Sequence, residues 1–269
     1  MKAIRFASAL LALLVFAGAA QAQLQAPDTL FIEKLTSGEV RDLIAAGKTT
    51  IIVPTGGTEQ NGPHMALGKH NVRIAANAEI IARRLGNALV APVMPYTPEG
   101  GMDPPTGHMR FAGTVNLPDP VFRQVLEYIA RSLKIHGFRD IVFIGDSGPN
   151  QAGQNAVAAT LNAEWGTASP ARVHAIEAYY RGDQEGDAAE MMRRGITREE
   201  IGNHADVRDT SQMMAVDPSM VRTARLAKGD GVNGVQGDAR HASPEIGRAL
   251  IERTVVRTVD LIKKAVASH

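Results

Sequence analysis

Residues 49–87 read TTIIVPTGGTEQNGPHMALGKHNVRIAANAEIIARRLGN. The opening is β-branched and apolar up to Pro54 and then breaks at Gly56 and Gly57, the pattern of a buried strand running into a turn. From Val72 to Asn87 apolar residues recur at helical spacing, and the run closes on Gly86-Asn87, a helix stop. Between the two lies EQNGPHMALGKH, in which Glu59, Asn61, His64 and His70 crowd a stretch broken by Gly62, Pro63 and Gly68. Strand, polar turn and helix make half of a β-α-β unit.

The unit recurs. ALVAPVMPY (88–96) reads as the next strand and PDPVFRQVLEYIARSLKIHGF (118–138) as an amphipathic helix stopped at Gly137. DIVFIGDSGPN (140–150) is a strand entering a Gly/Pro turn, QAGQNAVAATLNAEWG (151–166) a third helix, and RVHAIEAYY (172–180) a fourth strand. Residues 181–248 carry one helical piece over 186–195 and polar loops, and a final helix runs from about Pro244 to Ala267. This order predicts an α/β three-layer sandwich with a mostly parallel central sheet and crossover helices on both faces. Ligands of such sheets sit at the carboxyl ends of the strands. TEQNGPH, GDSGPN and the segment 97–114 all follow candidate strands there, so the three turns converge on one expected site.

The beginning of the chain is read as a leader. MKAIRFASALLALLVFAGAAQAQ has a basic start at Lys2 and Arg5, an apolar run, and the small-residue pattern Ala20-Gln21-Ala22, so residues 1–22 are expected to be a signal peptide and 23–269 a single domain. The apolar run is shorter than the roughly 20 residues that span a bilayer, and no later stretch is apolar enough, so no membrane contact is expected after cleavage. The predicted location is exported, periplasmic or secreted. A formal net charge of +1, from which Lys2 and Arg5 are lost with the leader, gives no electrostatic case for nucleic acid. The chain has no cysteine, so thiolate nucleophiles, thiolate ligands and disulfides are excluded, and any metal must be held by His, Asp, Glu or Asn.

Five blocks carry a resemblance to a known family. VPTGGTEQNGPHMALGKHNVRIA is similar to the creatininase (creatinine amidohydrolase) signature P-x-G-S-x-E-Q-H-G-P-H-L-P-L-x-x-D. GHMRFAGTVNL, HGFRDIVFIGDSGPN, GNHADVRDTSQMM and GVQGDARHASPEIG resemble the later blocks in the right order. The resemblance implies an oligomeric α/β sandwich in which a divalent metal pair, zinc or manganese, hydrolyses cyclic amides and related C–N bonds of small molecules. It also implies departures at the ligands. Glu59 is kept, but the family's His becomes Asn61, its bridging Asp becomes His70, and its second His becomes Ser147. The Glu before the proton-transferring His204 becomes Asn203, and the Glu of E-T-S becomes Asp209.

A neutral imidazole brings no charge and few lone pairs to a bridging position. The altered set therefore predicts one ion rather than two, held by Glu59 and His70 with Asp146, or else Asp209, as third ligand, plus an open water position. Such a water attacks a carbonyl-type carbon, with His204 protonating the leaving group and Asp209 beside it as a second catalytic candidate. Asn61, His64, His108, Ser147 and Asn150 are the candidate substrate contacts. The predicted protein is a hydrolase of a small polar substrate and a homo-oligomer. Two other readings stand beside it. GDSGP (145–149) resembles a nucleophile elbow, with Ser147, Asp209 and His241 in the chain order of a serine hydrolase. Alternatively, the scaffold binds a small molecule or serves structurally without catalysis.

Overall fold

The computed structural model describes residues 27–268, so the leader expected over 1–22 lies outside the described residues. Four strands, β1 (Thr50–Thr55), β2 (Ala88–Val90), β3 (Asp140–Gly145) and β4 (Arg172–Ala175), form one sheet in the order β2-β1-β3-β4, every pair parallel. The helices are α1 (Ser37–Ala45), α2 (Lys69–Leu85), α3 (Asp119–Ile135), α4 (Asn150–Trp165), α5 (Ala178–Arg181), α6 (Gln184–Arg193), α7 (Val207–Val216) and α8 (Pro244–Ala267). The expected architecture is present, and the sheet is parallel throughout.

All of β1 is buried, as continuous apolar strands of parallel sheets are. From β1 the chain moves one way to β2 and from β3 the other way to β4. Right-handed crossovers then place α2 on one face and α4 on the other. α3 packs beside α4, whereas α2, α7 and α8 pack together. The sheet core is Ile51, Ile52, Val53, Ile141, Val142, Phe143 and Ile144, closed by Ile74, Ile81, Phe122 and Leu126 from the helices.

The direction reverses between β1 and β3, and their register runs from Thr50 opposite Asp140 to Thr55 opposite Gly145. Both strands therefore end level, and the Glu59 turn and Asp146 leave the sheet side by side. That is the crevice where open α/β sheets take their ligands. α2 starts within reach of it, and α7 is brought to it by packing on α8.

Three expected elements differ from the structure. The second strand stops at Val90 rather than continuing to Tyr96, because Pro92 and Pro95 have no N–H to give a ladder. The fourth stops at Ala175, and Ala178–Arg181 turns into a short helix instead. The helix expected from Val72 starts at Lys69.

The α7–α8 contact has no slack. A Cβ on Gly247 would stand 1.9 Å from the Ser211 carbonyl oxygen of α7. Gly247→Ala is expected to destabilise the protein by about 1–3 kcal/mol through forced separation of the helices, read as a lower denaturation midpoint at unchanged m-value.

Candidate active site

Glu59 sits in the turn after β1 and is 2 % exposed. The turn holds its shape through Asn61, whose amide donates to the carbonyls of Glu59 (2.9 Å) and Ala66 (3.1 Å), and through Asn71, which accepts from Gly57 N–H at 3.0 Å. Gly57 has φ +152, and a Cβ there would lie 2.6 Å from Glu99 Oε1, so the close passage needs glycine.

Six side chains then close a ring in which carboxylates alternate with nitrogen groups. Glu59 Oε1 is 2.7 Å from His70 Nε2 and 3.6 Å from Lys69 Nζ. Lys69 donates to Asp209 Oδ2 at 2.9 Å, and Arg73 Nη1 donates to Asp209 Oδ1 at 2.8 Å. Arg73 Nε donates to Asp146 Oδ2 at 2.8 Å, and that oxygen lies 2.8 Å from His70 Nδ1. The path Glu59–Lys69–Asp209–Arg73–Asp146–His70 returns to Glu59 without a gap. Lys69 is 0 % exposed. The three carboxylates come from the turn after β1, the end of β3 and the first turn of α7. The nitrogen partners all come from α2, where positions 69, 70 and 73 share a face.

Charge neighbours set the ionisation here. Burial acts to raise both Glu59 and Asp209, yet His70 and Lys69 hold Glu59 well below the usual carboxylate range, and Lys69, Arg73 and Arg208 do the same to Asp209. Burial would lower Lys69, but Asp209 and Glu59 outweigh it and raise the ammonium above its ordinary value. Asp209 also accepts from Ala205 N–H at 3.0 Å, and Ala205 takes a left-handed φ of 50 to aim that bond.

His204 and His108 face the other side of Glu59. His204 Nε2 lies 2.8 Å from the Gln60 carbonyl oxygen, which can only accept, so this nitrogen carries the proton. Nδ1 is left with its lone pair directed at Glu59 Oε1, 3.4 Å away. Burial, then Lys69, push the His204 imidazole down to about 3. His108 Nδ1 is 3.0 Å from Gln60 Nε2, and the Gln60 amide is oriented by Gly62 N–H and the Gly234 carbonyl. His108 Nε2 then faces Glu59 Oε2 at 3.2 Å. Ligand atoms of Glu59, His108 and His204 lie within 4.8 Å of one another, close enough to share an ion.

The pocket over this cluster is lined by Glu59, Lys69, His70, His108, Ser147 and His204, with Arg181, Asn203 and Gln236 also on its wall. Of the sequence candidates, Glu59, His70, His108, Ser147, His204 and Asp209 are therefore brought together. Asp146 lies behind them, held by His70, Arg73 and Tyr179. Asn61 and His64 do not line the pocket: Asn61 staples the turn, and His64 is buried against Thr210 at 3.0 Å. Asn150 ties the two strand ends together through Thr55 and Gly56 rather than facing the pocket.

The expected ligand trio of Glu59, His70 and Asp146 meets a different geometry. Both ring nitrogens of His70 face carboxylate oxygens at hydrogen-bond distance, leaving neither open toward an ion. The serine-hydrolase arrangement lacks its base, since His241 is at the surface paired with Glu200 and Asp209 is committed to Lys69 and Arg73. Lys69, Arg73, Glu99, Tyr179 and Arg181 carried no signal beyond the 69/70/73 spacing.

The fold and site define a doubly wound α/β protein with a buried carboxylate–imidazole pocket at its switch point. A family model described as creatinine amidohydrolase matches residues 33–262, and the chain belongs to the creatininase family. It is 30 % identical over 116 residues to a creatinine amidohydrolase of Pseudomonas putida, covering 43 % of this chain and 44 % of that one. It is 26 % identical over 189 residues to a mycofactocin precursor peptide peptidase of Mycobacterium ulcerans (strain Agy99), covering 67 % and 64 %. The alignments thus span between about half and two thirds of these relatives' lengths. A crystal structure of creatinine amidohydrolase superposes with TM-score 0.74 at 23 % identity, covering 88 % of this chain and 98 % of that chain. A mutant creatininase of Zn–Zn type does so with TM-score 0.71 at 24 % identity and the same coverage.

Two outcomes follow from the ring and its neighbours. Lys69→Met leaves Asp209 and Glu59 short of a buried partner, and is expected to destabilise by about 3–5 kcal/mol in chemical denaturation. Burial, with the Glu59 carboxylate next, pushes Glu99 up to about 9 from an ordinary 4.5. A carboxyl raised in the folded state contributes stability below its unfolded value and loses it as pH rises toward the folded value. Stability is therefore expected to fall between about pH 5 and 9, with a slope on the order of 1 kcal/mol per unit that Glu99→Gln abolishes.

Proposed function

We propose that this chain is a hydrolase of C–N bonds, cyclic amides foremost, in small polar molecules, with one divalent ion, zinc or manganese, as cofactor. The observation that carries the reading is the pair of facing acceptors, His204 Nδ1 and Glu59 Oε1, 3.4 Å apart. Two lone pairs aimed at one another need a cation or proton between them, and His108 Nε2 stands in reach as a third ligand. These donors fit one ion with open coordination; they do not fit a pair, because the remaining carboxylates are consumed in the ring. When bound, the ion polarises a carbonyl and brings a water toward ionisation at neutral pH.

The chain's own groups do the rest. His204, neutral down to about pH 3, keeps its Nδ1 lone pair available to an ion at working pH. Lys69 presents a fixed positive charge to oxygen that becomes negative in the transition state. Arg181, Asn203 and Gln236 give the wall polar contacts suited to a small hydrophilic substrate. The family relatives that act on creatinine and on a precursor peptide support amide-type bonds as the substrate class. The leader expected over 1–22 supports an exported location for this chemistry. The exposed apolar side chains Val121, Val125, Tyr128 and Ile135 of α3 support a homo-oligomer.

Elemental analysis is expected to find about one ion per chain in the purified protein and less than about a tenth in Glu59→Gln and His204→Ala. Hydrolysis of a panel of lactams and cyclic ureides is expected to fall at least about 100-fold in both variants. An ion content near zero that zinc and manganese cannot raise would overturn the cofactor. Thermal stabilisation by the panel without turnover would favour a non-catalytic binding protein.

A further inference from the structure

Two of the positions from which the resemblance draws ligands for a metal pair, Asn61 and His70, are committed to partners within the protein. Asn61 spends its amide on backbone carbonyls of its own turn. His70 stands where a bridging carboxylate is expected, and its two ring nitrogens lie 2.7 Å from Glu59 and 2.8 Å from Asp146. The carboxylates that remain, Asp146 and Asp209, are not empty-handed: Arg73 spans both at 2.8 Å, and Lys69 reaches Asp209 at 2.9 Å and Glu59 at 3.6 Å.

We propose that Lys69 and Arg73 are resident cations that replace the second divalent ion of the family's metal pair. The buried floor of the site carries three carboxylates. In a two-metal enzyme an ion would supply part of the compensating charge, with ligands at about 2.0–2.2 Å. Here an ammonium and a guanidinium supply it through N–H bonds, with His70 closing the circle. An ion can enter between Asp209, Glu59 and Asp146 only by expelling Lys69 or Arg73. A dication set against these two fixed positive charges in a water-poor pocket is strongly disfavoured. Lys69 is the half of the pair that also faces the cavity, so it inherits the electrostatic task toward substrate, whereas Arg73 is a positioning residue. This replacement holds whether or not the first ion is bound, and so does not depend on the cofactor proposed above.

The test is the stoichiometry of Zn²⁺ and Mn²⁺ binding to the chain without residues 1–22, by native mass spectrometry and calorimetry. The wild type is expected to take up no more than about one ion, and Lys69→Arg, which keeps the charge, the same number. The double variant Lys69→Ala, His70→Asp removes a cation and restores a bridging carboxylate. It is expected to bind about one ion more than the wild type and to gain thermal stability from it. Two ions in the wild type, or a folded double variant with wild-type stoichiometry, overturns the proposal. If the double variant does not fold in the absence of metal, folding upon addition of Mn²⁺ or Zn²⁺ supports it and failure to fold with either ion counts against it. No uptake by the wild type would overturn the single-ion cofactor alone and accords with the replacement.

Discussion

A closed and buried ring of alternating acid and base is the constraint on which the site depends. Its carboxylates arrive from three separate parts of the chain and its nitrogen bases from one helix. α2 therefore acts as the clasp that holds the end of β1, the end of β3 and the start of α7 in a single geometry. Removing one member of such a ring is far more disruptive than the net worth of any one pair, because it strands an unpaired buried charge. The same ring fixes what remains available for chemistry: one face of Glu59, two neutral imidazoles and an ammonium that cannot leave.

An ammonium differs from a metal ion in what it can do. It offers directional N–H donors and a full positive charge, but it cannot coordinate water or lower its pKa by direct bonding. A scaffold that exchanges one ion for Lys69 and Arg73 keeps the field and gives up a coordination sphere. His204 fits the same logic. Stripped of charge by burial and by the ammonium nearby, it stays neutral over the whole physiological range.

Much of the fold was legible because parallel strands and crossover helices write themselves as alternating apolar runs and helical periods. The last helix runs from Pro244 to Ala267, as its periodicity and Pro at the first turn indicate. α1 has no strong apolar period to announce it, although Thr36 and Glu39 form a capping box there, a local signal that a short, weakly apolar helix does not amplify. α7 was hidden for a related reason: its start is set by the Asp206 cap and the turn at Ala205 rather than by an apolar run. In the site, Glu59, His108, His204 and Asp209 were visible through motif resemblance. Lys69 and Arg73 were not, since spacing shows that they share a helix face but not what that face meets. A lysine at 0 % exposure is the result of tertiary contacts from residues 59 and 209, which no local pattern encodes.

The position of these cations on their helix has a consequence for how the molecule comes together. α2 begins at Gly68 without a side-chain cap and with no acidic residue in its first turn, so Lys69, His70 and Arg73 stand at the end where the helix dipole is itself positive. Taken alone, that turn repels its own side chains. It becomes favourable only when the strand ends and α7 bring their carboxylates to it, so the first turn of α2 is a product of assembly rather than a seed for it. The first turn of α2 and the carboxylates that surround it therefore stabilise one another, and the shape of the pocket depends on both.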